Sequence, residues 1–292
     1  MLKSIDEILL KMKAYEYIAD RALATIIYLA QSLKKPILLE GEAGVGKTEV
    51  AKVISQVLNS KLIRLQCYEG LDVSTSLYEW NYPKQMLEIR MQETRGGSKE
   101  EIENTIFSEK FLLKRPLLEA IQTDSPVPPV LLIDEIDRSD EEFEAFLIEV
   151  LSDFQISIPE IGTIEAKSHP FVVLTSNRTR QLHDALKRRC LYHWVDYPSF
   201  EKEHEIVSTK VPGINETIAS QVCEFMQQVR KIDFHKKPGV AETLDWAQAL
   251  IALHKDELDQ ETIEQTLGCI FKYNEDMLKF KKQSESFVLG VC

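Results

Sequence analysis

Short, wholly apolar segments alternate with segments of helical period along the first two thirds of the chain. Apolar runs at 36–39, 130–133 and 171–174 are typical of strands that are buried on both faces of a parallel sheet, and 62–65 is predicted to be a further brief strand. Between these runs, apolar residues recur every three or four positions, as they do along one face of a helix. The alternation predicts an α/β fold with a doubly wound parallel sheet, and turn residues predict a hairpin over 155–167.

Helical period alone continues through the last third of the chain. We therefore expect two domains, an α/β domain over 1–198 and a small all-helical lid domain over 199–292. Helical period also precedes the first strand, over 4–32. Over 86–106, charged segments that are expected to be helical flank Arg95–Ser98, and 111–122 is predicted to be one further helix.

Composition narrows the class of protein. The 292 residues include 35 Lys and Arg against 47 Asp and Glu, which gives a formal net charge of −12. This charge repels nucleic-acid phosphates unless basic residues gather on one face, so a nucleic-acid function is disfavoured. No apolar run approaches the ~20 residues that span a bilayer, and the first sixteen residues lack the apolar core of a signal peptide. The five cysteines form no close CxxC pair, which favours a reducing compartment and, by default, the cytoplasm.

A glycine-rich segment follows the first predicted strand and matches the phosphate-loop pattern GxxxxGK[ST]. It consists of Gly41, Glu42, Ala43, Gly44, Val45, Gly46, Lys47 and Thr48. Its glycines let backbone N–H groups approach phosphate oxygens, while Lys47 is expected to contact the β- and γ-phosphates and Thr48 to bind Mg²⁺. We count Glu49, the next residue, among the nucleotide-binding positions. The segment predicts ATP and Mg²⁺ as cofactors and ATP hydrolysis as the activity.

Two carboxylates close the third apolar strand. Asp134 and Glu135 repel each other unless a cation lies nearby. We expect Asp134 to hold Mg²⁺ through water and Glu135 to polarise the attacking water, although two solvated acids at a strand end have the same sequence. Asn177, after the fourth strand, is expected to orient that water, although asparagine is also a common turn former. The segment 187–190, which contains Lys187, Arg188 and Arg189, follows a short predicted helix. Its basic residues fit a functional role and a solvated surface patch equally well.

Together these motifs resemble those of the AAA+ ATPases, and within them the MoxR family. The resemblance extends over about residues 15 to 275. The matching segments are Pro36–Val50, Leu131–Ser139, Leu174–Asn177 and Ala185–Tyr192. Two further segments, Leu77–Pro83 and Arg188–Trp194, resemble the branch that includes the accessory ATPase for maturing molybdenum-containing carbon monoxide dehydrogenase.

The resemblance implies a six-membered ring with nucleotide between subunits. Arg189 is similar in position to the arginine that reaches the γ-phosphate of the neighbouring subunit, with Arg188 as second choice. Tyr17, Ile18 and Ala19 lie where the family packs adenine. The insert over 84–108 and the hairpin over 155–167 resemble insertions that face the central pore or substrate.

The resemblance also implies a role for Gln66 and identifies partner classes. Gln66 lies where a polar residue holds the catalytic glutamate in check. MoxR proteins usually act with a partner that carries a von Willebrand factor A domain, and remodel a client protein or help to insert metal into it. A metalloenzyme client of the molybdenum hydroxylase type is therefore implied.

One position departs from the family pattern. The family commonly has an arginine at the start of a lid helix, in contact with nucleotide, whereas Glu242 occupies that place here. Either Lys236 or Lys237 replaces the arginine, or lid closure is driven differently.

The preferred interpretation is a chaperone-like ATPase that remodels a protein client. A nucleic-acid motor or loader is a first alternative, but the basic residues of the insert (Arg90, Arg95 and Lys99) are diluted by four glutamates. A nucleotide-gated binding module with little turnover is a second alternative. The complete set of Lys47 and the two strand-end carboxylates argues against this second alternative. A turnover assay distinguishes a binding module from an ATPase.

Overall fold

The computed structural model describes residues 2–96, 98–123 and 125–287. Its strands are β1 (Ile37–Gly41), β2 (Leu62–Gln66), β3 (Tyr78–Trp80), β4 (Leu112–Lys114), β5 (Val130–Asp134), β6 (Gln155–Ile158), β7 (Gly162–Glu165), β8 (Phe171–Ser176) and β9 (Leu191–Val195). Its α-helices are α1 (Ile5–Ala14), α2 (Arg21–Leu33), α3 (Lys47–Val57), α4 (Val73–Ser76), α5 (Tyr82–Arg95), α6 (Lys99–Ile106), α7 (Pro116–Ile121), α8 (Glu141–Asp153), α9 (Asp184–Arg189), α10 (Phe200–Lys210), α11 (Glu216–Val229), α12 (Val240–Ala252), α13 (Gln260–Ile270) and α14 (Asn274–Phe287).

The main sheet has the order β2-β5-β8-β1-β9. Strands β2, β5, β8 and β1 pair in parallel, and every residue of β1, β5 and β8 is buried. The register opposes Gln66 to Asp134 and Glu40 to Ser176, so the carboxyl ends of these strands meet at one edge. The α/β fold with a parallel sheet and a C-terminal helical region, as the hydrophobic pattern predicts, is confirmed.

Several elements differ from the local expectation. Helical period over 4–32 divides into α1 and α2, with an irregular segment at 15–20 between them. The helix expected over 111–122 is wrong in its first half, because residues 112–114 form β4 and pair antiparallel with β3. Only 116–121 is helical. A strand of three residues, such as β4, has too few positions to show a period of two. The helical pattern of the residues that follow it was therefore extended over β4 in the prediction.

The chain divides into two compact units. One, here called the sheet unit, comprises residues up to 8, 21–40 and 51–193. The other, here called the lid unit, comprises 9–20, the phosphate loop with the start of α3 (41–50), and the residues from 194 onward. The domain boundary near residue 198 remains a prediction.

Each unit has an apolar core of its own. In the sheet unit, β2 and β5 contribute Ile63, Leu65 and Ile133, against which Phe143 of α8 packs. The core of the lid unit surrounds Trp246, whose ring Nε1–H donates to the Thr266 hydroxyl at 2.8 Å. Burying such side chains provides the main free energy that favours each unit. None of the described helices combines the length and the apolar character that a membrane crossing requires.

Candidate functional site

The phosphate loop leaves β1 and enters α3 inside the lid unit. Gly44 and Gly46 have φ of 80° and 93°, a backbone conformation that glycine adopts without a steric cost. The Lys47 ammonium is buried and donates to the carbonyl oxygens of Gly41 at 2.8 Å and Glu42 at 2.6 Å. The loop therefore curls around a cation at the first turn of a helix, an arrangement suited to phosphate oxygens.

Asp134 ends β5 in the sheet unit with a carboxylate that is almost fully buried. Its Oδ1 accepts from the Thr175 hydroxyl at 2.5 Å. Its Oδ2 accepts from Arg64, at 3.1 Å from Nε and 2.5 Å from Nη2. A buried carboxylate needs such partners, because an unpaired charge away from water is costly. The sequence analysis missed Thr175 and Arg64, although Arg64 lies two residues before Gln66 and so on the same face of β2.

Glu135 follows in a left-handed conformation, with φ of 55°. Its Oε2 accepts from the Gln66 amide at 3.2 Å and from Arg138 Nε at 2.9 Å. Its Oε1 lies 3.4 Å from Nδ2 of Asn177. Left-handed φ is uncommon for a residue other than glycine and marks positions that the surrounding structure must hold. The structure thus brings the three polar residues expected from the sequence, Gln66, Glu135 and Asn177, into direct contact.

Asp137 fixes the position of Asn177. Its carboxylate accepts from the backbone N–H groups of Asn177 at 3.1 Å and Thr179 at 2.8 Å, and from the Thr179 hydroxyl at 2.7 Å. Asp137 is buried, whereas no local pattern in the sequence distinguishes it from a solvated acid. Asp137 therefore holds the backbone of Asn177, while the side-chain amide of Asn177 lies against Glu135.

The edge of the sheet has a negative potential. Burial raises the pKa of the Cys67 thiol to about 12, and the carboxylates of Asp134, Asp137 and Glu135 add to that shift. The thiol is uncharged at neutral pH and is no nucleophile. The same carboxylates attract a cation to this edge.

Residues 37–194 match the family model of the ATPase family associated with various cellular activities (AAA). The chain belongs to the AAA family. It is 24% identical over 229 residues to an uncharacterized protein of Staphylococcus haemolyticus, across 76% of this chain and 78% of that protein. It is 23% identical over 239 residues to an uncharacterized protein of Staphylococcus saprophyticus, across 78% and 81%.

Solved structures of two variants of RuvB from Thermotoga maritima share the AAA fold with this chain. The first has a TM-score of 0.52 at 17% identity and covers 99% of this chain and 81% of RuvB. The second has a TM-score of 0.50 at 16% identity and covers 91% and 75%. At this identity the likeness concerns the fold alone.

The segment where AAA resemblance places adenine belongs to the lid unit, together with the phosphate loop. Ile18 and Ala19 are partly buried, and the Ala19 N–H donates to the Tyr17 carbonyl at 3.2 Å. Burial holds the pKa of the Tyr17 hydroxyl well above its usual range, and the carboxylates of Asp20 and Glu49 raise it further. Tyr17 is thus a neutral, partly buried ring in the same unit as the loop. Its contact with adenine stays a prediction.

Glu242, at the position that departs from the AAA resemblance, caps a helix. Its carboxylate accepts from the Gly239 N–H at 2.8 Å, so Glu242, in the first turn of α12, reaches back to the residue that precedes the helix as the glutamate of a capping box does. Helix α12 also contacts the phosphate loop, because the Ala241 N–H donates to the Gly44 carbonyl at 3.2 Å. A Cβ on Gly239 would lie 2.8 Å from backbone atoms of Gly44, so only glycine permits this approach.

A buried arginine of the lid unit is fully used elsewhere. Arg230 binds Glu203 in a two-pronged pair at 2.6 and 2.7 Å, and its Nε donates to the Pro238 carbonyl at 2.8 Å. Neither partner is near it in the sequence, so no local pattern could reveal the pair. Lys236 and Lys237, the two expected substitutes for a lid arginine, lie just before Pro238; Lys236 is exposed and Lys237 is partly buried.

Arg188 and Arg189 occupy the last turn of α9. The sequence analysis expected them to follow a helix and was wrong on this point. Arg189 Nε donates to the Ser152 hydroxyl at 2.5 Å and Nη1 to the Ala185 carbonyl at 3.4 Å. Arg188 is exposed and makes no hydrogen bond or ion pair within the described part of the chain. Both guanidinium groups therefore lie at the end of one helix, and Arg188 is held by fewer contacts than Arg189.

Proposed function

We propose that this AAA protein is a Mg²⁺-dependent ATPase whose hydrolysis cycle remodels a client protein. The observation that carries the proposal is the Glu135 carboxylate, held by the amides of Gln66 and Asn177 beside the buried carboxylate of Asp134. These amides, together with Arg138, hold both carboxylate oxygens in place, and a general base for water must be positioned in this way. The AAA family match supports the ATPase class.

The roles of the residues follow from their chemistry. Lys47 supplies a positive charge to the β- and γ-phosphates. Its present partners are uncharged carbonyl oxygens, and the anionic phosphate oxygens that would replace them form stronger, charge-assisted hydrogen bonds. Thr48 would offer its hydroxyl to Mg²⁺, and the Asp134 carboxylate would help to hold that ion. The negative potential that raises the pKa of Cys67 suits a cation. When bound, Mg²⁺ neutralises charge on the phosphates.

We propose that six chains form the active ring. Arg189, or else Arg188, reaches the γ-phosphate held by the neighbouring subunit. An arginine supplied in this way accelerates hydrolysis by roughly 10³ to 10⁵, so a single chain is expected to be a poor enzyme. What supports this proposal is the position of both arginines in the final turn of α9, with long, partly exposed side chains.

The finer assignment rests on resemblance. The segments Leu77–Pro83 and Arg188–Trp194 support the MoxR family and the branch with the carbon monoxide dehydrogenase accessory ATPase. We therefore propose a metalloenzyme as client and a protein with a von Willebrand factor A domain as partner. Exposed apolar side chains on α5 of the insert support a protein client, since Tyr82, Met86 and Leu87 are each more than half exposed.

A nucleic-acid motor is a weaker candidate. RuvB is described as a Holliday junction branch migration motor, and its fold is similar. The net charge of −12 opposes binding to a polyanion, and no observation on the described residues favours that function over a protein client.

Glu135→Gln tests the proposal, with Glu142→Gln, an exposed acid on α8, as the matched control. We expect Glu135→Gln to bind ATP with Mg²⁺ and to lose at least ~10²-fold in turnover, while Glu142→Gln behaves as wild type. Equal turnover of the two variants would refute the role of Glu135. Capture of proteins on Glu135→Gln with ATP then tests the client, and recovery of nucleic acid instead of a metalloenzyme would overturn that part.

A further inference from the structure

A cavity of about 620 Å³ lies in the sheet unit at the edge opposite Asp134 and Asn177. Its walls come from the end of α2 and from the segments that lead into β5 and β8, at 126–128 and 167–170. Because these strands are parallel, their amino ends share one edge of the sheet. A strand of five residues spans about 17 Å, so the cavity is separate from the candidate hydrolysis residues.

The charges around this cavity have one sign. Lys34, Lys35, Lys167 and His169 line it, and no Asp or Glu is among its lining residues in the described part of the chain. This is unusual for a chain with a net charge of −12. Burial lowers the pKa of His169, and the nearby Lys34 ammonium lowers it further. The cavity therefore favours an anionic group.

The backbone that carries the two lysines is fixed, while their side chains are exposed. Lys34 has a left-handed φ of 53°, and the Lys35 N–H donates to the Ala30 carbonyl at 3.1 Å, so the backbone of both lysines is fixed at the end of α2. The Ser168 hydroxyl is buried and has no hydrogen-bond partner among the described residues. A buried hydroxyl without a partner is unfavourable, and an incoming carboxylate oxygen would supply one.

The remaining walls are apolar. Pro126, Val127, Pro128 and Pro170 line the cavity together with Phe171. Its volume lies within the range of roughly 300 to 1,000 Å³ that is usual for ligand pockets. Lysines bind carboxylates as compact point charges, while proline rings pack against apolar side chains. The chemistry matches a carboxylate that is flanked by an apolar group.

We propose that this cavity binds an acidic peptide segment of a partner protein, with a carboxylate at Lys34 and Lys35 and an apolar side chain against the prolines. Charge complementarity selects an acidic segment. A polynucleotide needs a basic track that extends over many phosphates, and a single cavity on an acidic protein does not provide one.

The experiment uses full-length protein with labelled histidine and two capped peptides, Val-Glu-Glu-Leu and its match Val-Gln-Gln-Leu. The His169 imidazole resonance is identified by its loss in His169→Gln. Titration with the acidic peptide should saturate and raise the pKa of His169, because a carboxylate then offsets the lysines. The amide peptide should do neither. Affinity for the acidic peptide should fall as salt rises from about 50 to about 300 mM.

Lys34→Ala/Lys35→Ala should weaken the acidic peptide at least about tenfold and leave ATP affinity unchanged. Lys99→Ala/Lys114→Ala removes the same charge from exposed positions outside the cavity and should change nothing. Circular dichroism checks that both variants fold. Equal binding of the two peptides, an unmoved His169 resonance, or an equal response to inorganic phosphate alone would each overturn the proposal.

Discussion

Arg64 and Asp134 form an ion pair between neighbouring strands, with Arg64 Nη2 at 2.5 Å from Oδ2 of the buried carboxylate. The same Nη2 lies 2.5 Å from Oε1 of Gln66, and the Gln66 amide nitrogen in turn donates to Glu135. An amide whose oxygen accepts from arginine must present its NH₂ on the other side. Arg64 thus links the residue proposed to hold Mg²⁺ to the residue proposed to activate water.

Arg64→Met is expected to tighten divalent-cation binding several-fold. A guanidinium next to Asp134 opposes a second cation by about 1 kcal/mol, since Arg64 is half exposed and water screens its charge. The measurement is titration of Mn²⁺ into protein with ADP, followed by electron paramagnetic resonance. Arg115→Met, which breaks an exposed pair with Glu79, is the control and should bind Mn²⁺ as wild type does. Weaker Mn²⁺ binding in Arg64→Met would show that the arginine mainly orients Asp134 for the ion.

Lys47→Ala is expected to abolish ATP binding and to keep the fold. The substitution removes the charge proposed to face the phosphates but little apolar packing. Titration calorimetry measures the affinity, and circular dichroism measures the fold. Lys52→Ala, on an exposed position of the same helix, should bind ATP normally. Retention of wild-type affinity by Lys47→Ala would rule out the phosphate-loop assignment.

Glu242 is expected to have two separate effects: its cap stabilises the fold, and its negative charge weakens ATP binding. Glu242→Gln keeps an oxygen for the Gly239 N–H, so its stability should match wild type, while loss of a negative charge near Gly44 should tighten ATP binding a few-fold. Glu242→Ala should lose about 1 kcal/mol of stability through the missing cap. Glu242→Arg should likewise change ATP affinity only a few-fold. Denaturant unfolding and ATP titration separate the two effects, and a strong loss of ATP binding in Glu242→Gln would contradict the repulsion.

Mixed rings test whether Arg189 serves a neighbouring subunit. Glu135→Gln and Arg189→Ala are each expected to bind ATP and to hydrolyse almost none, because the arginine stabilises the transition state more than the ground state. After subunit exchange, an Arg189→Ala chain with an intact Glu135 can lie beside a chain with an intact Arg189. Turnover of the mixture should then exceed that of both parents and depend on protein concentration.

Arg188→Ala is the matched comparison for that experiment. If it retains turnover while Arg189→Ala does not, Arg189 is the residue that acts across subunits. If only Arg188→Ala complements Glu135→Gln, the assignment moves to Arg188, which makes fewer contacts in the structure. Mixed rings that never exceed the average of their parents would refute a role in trans for both.

Buried thiols should lower stability at alkaline pH. The folded pKa of Cys67 is raised from 9.0 to about 12, so its contribution is complete below about pH 9 and is lost as pH rises toward 12. Between these values the unfolded chain releases a proton that the folded chain keeps. Cys67→Ala should therefore flatten the fall of unfolding free energy by up to about 1.4 kcal/mol per pH unit. Cys269→Ala, at a half-buried site, is the control, and an identical slope for Cys67→Ala would refute the shift.

Local pattern in the sequence was enough to predict the parallel sheet, and it places the phosphate-loop motif and the carboxylates of Asp134 and Glu135 directly after predicted strands. Each of these features is encoded locally: an apolar run predicts a buried strand, and the polar residue that follows it must lie at the carboxyl edge. Asn177 was predictable for the same reason, because it follows the strand next to β5.

The contacts between side chains that are distant in the sequence depend on how the strands and helices pack. Arg64 pairs with Asp134 across 70 positions, and Arg230 pairs with Glu203 across 27. Glu242 proved to be a helix cap, which its sequence neighbourhood permitted but did not require. A charged side chain has many possible partners in a chain with 82 charged residues, the sum of 35 basic and 47 acidic. Packing of the strands and helices selects among them, because burial leaves a charge stable only where its partner is already in place.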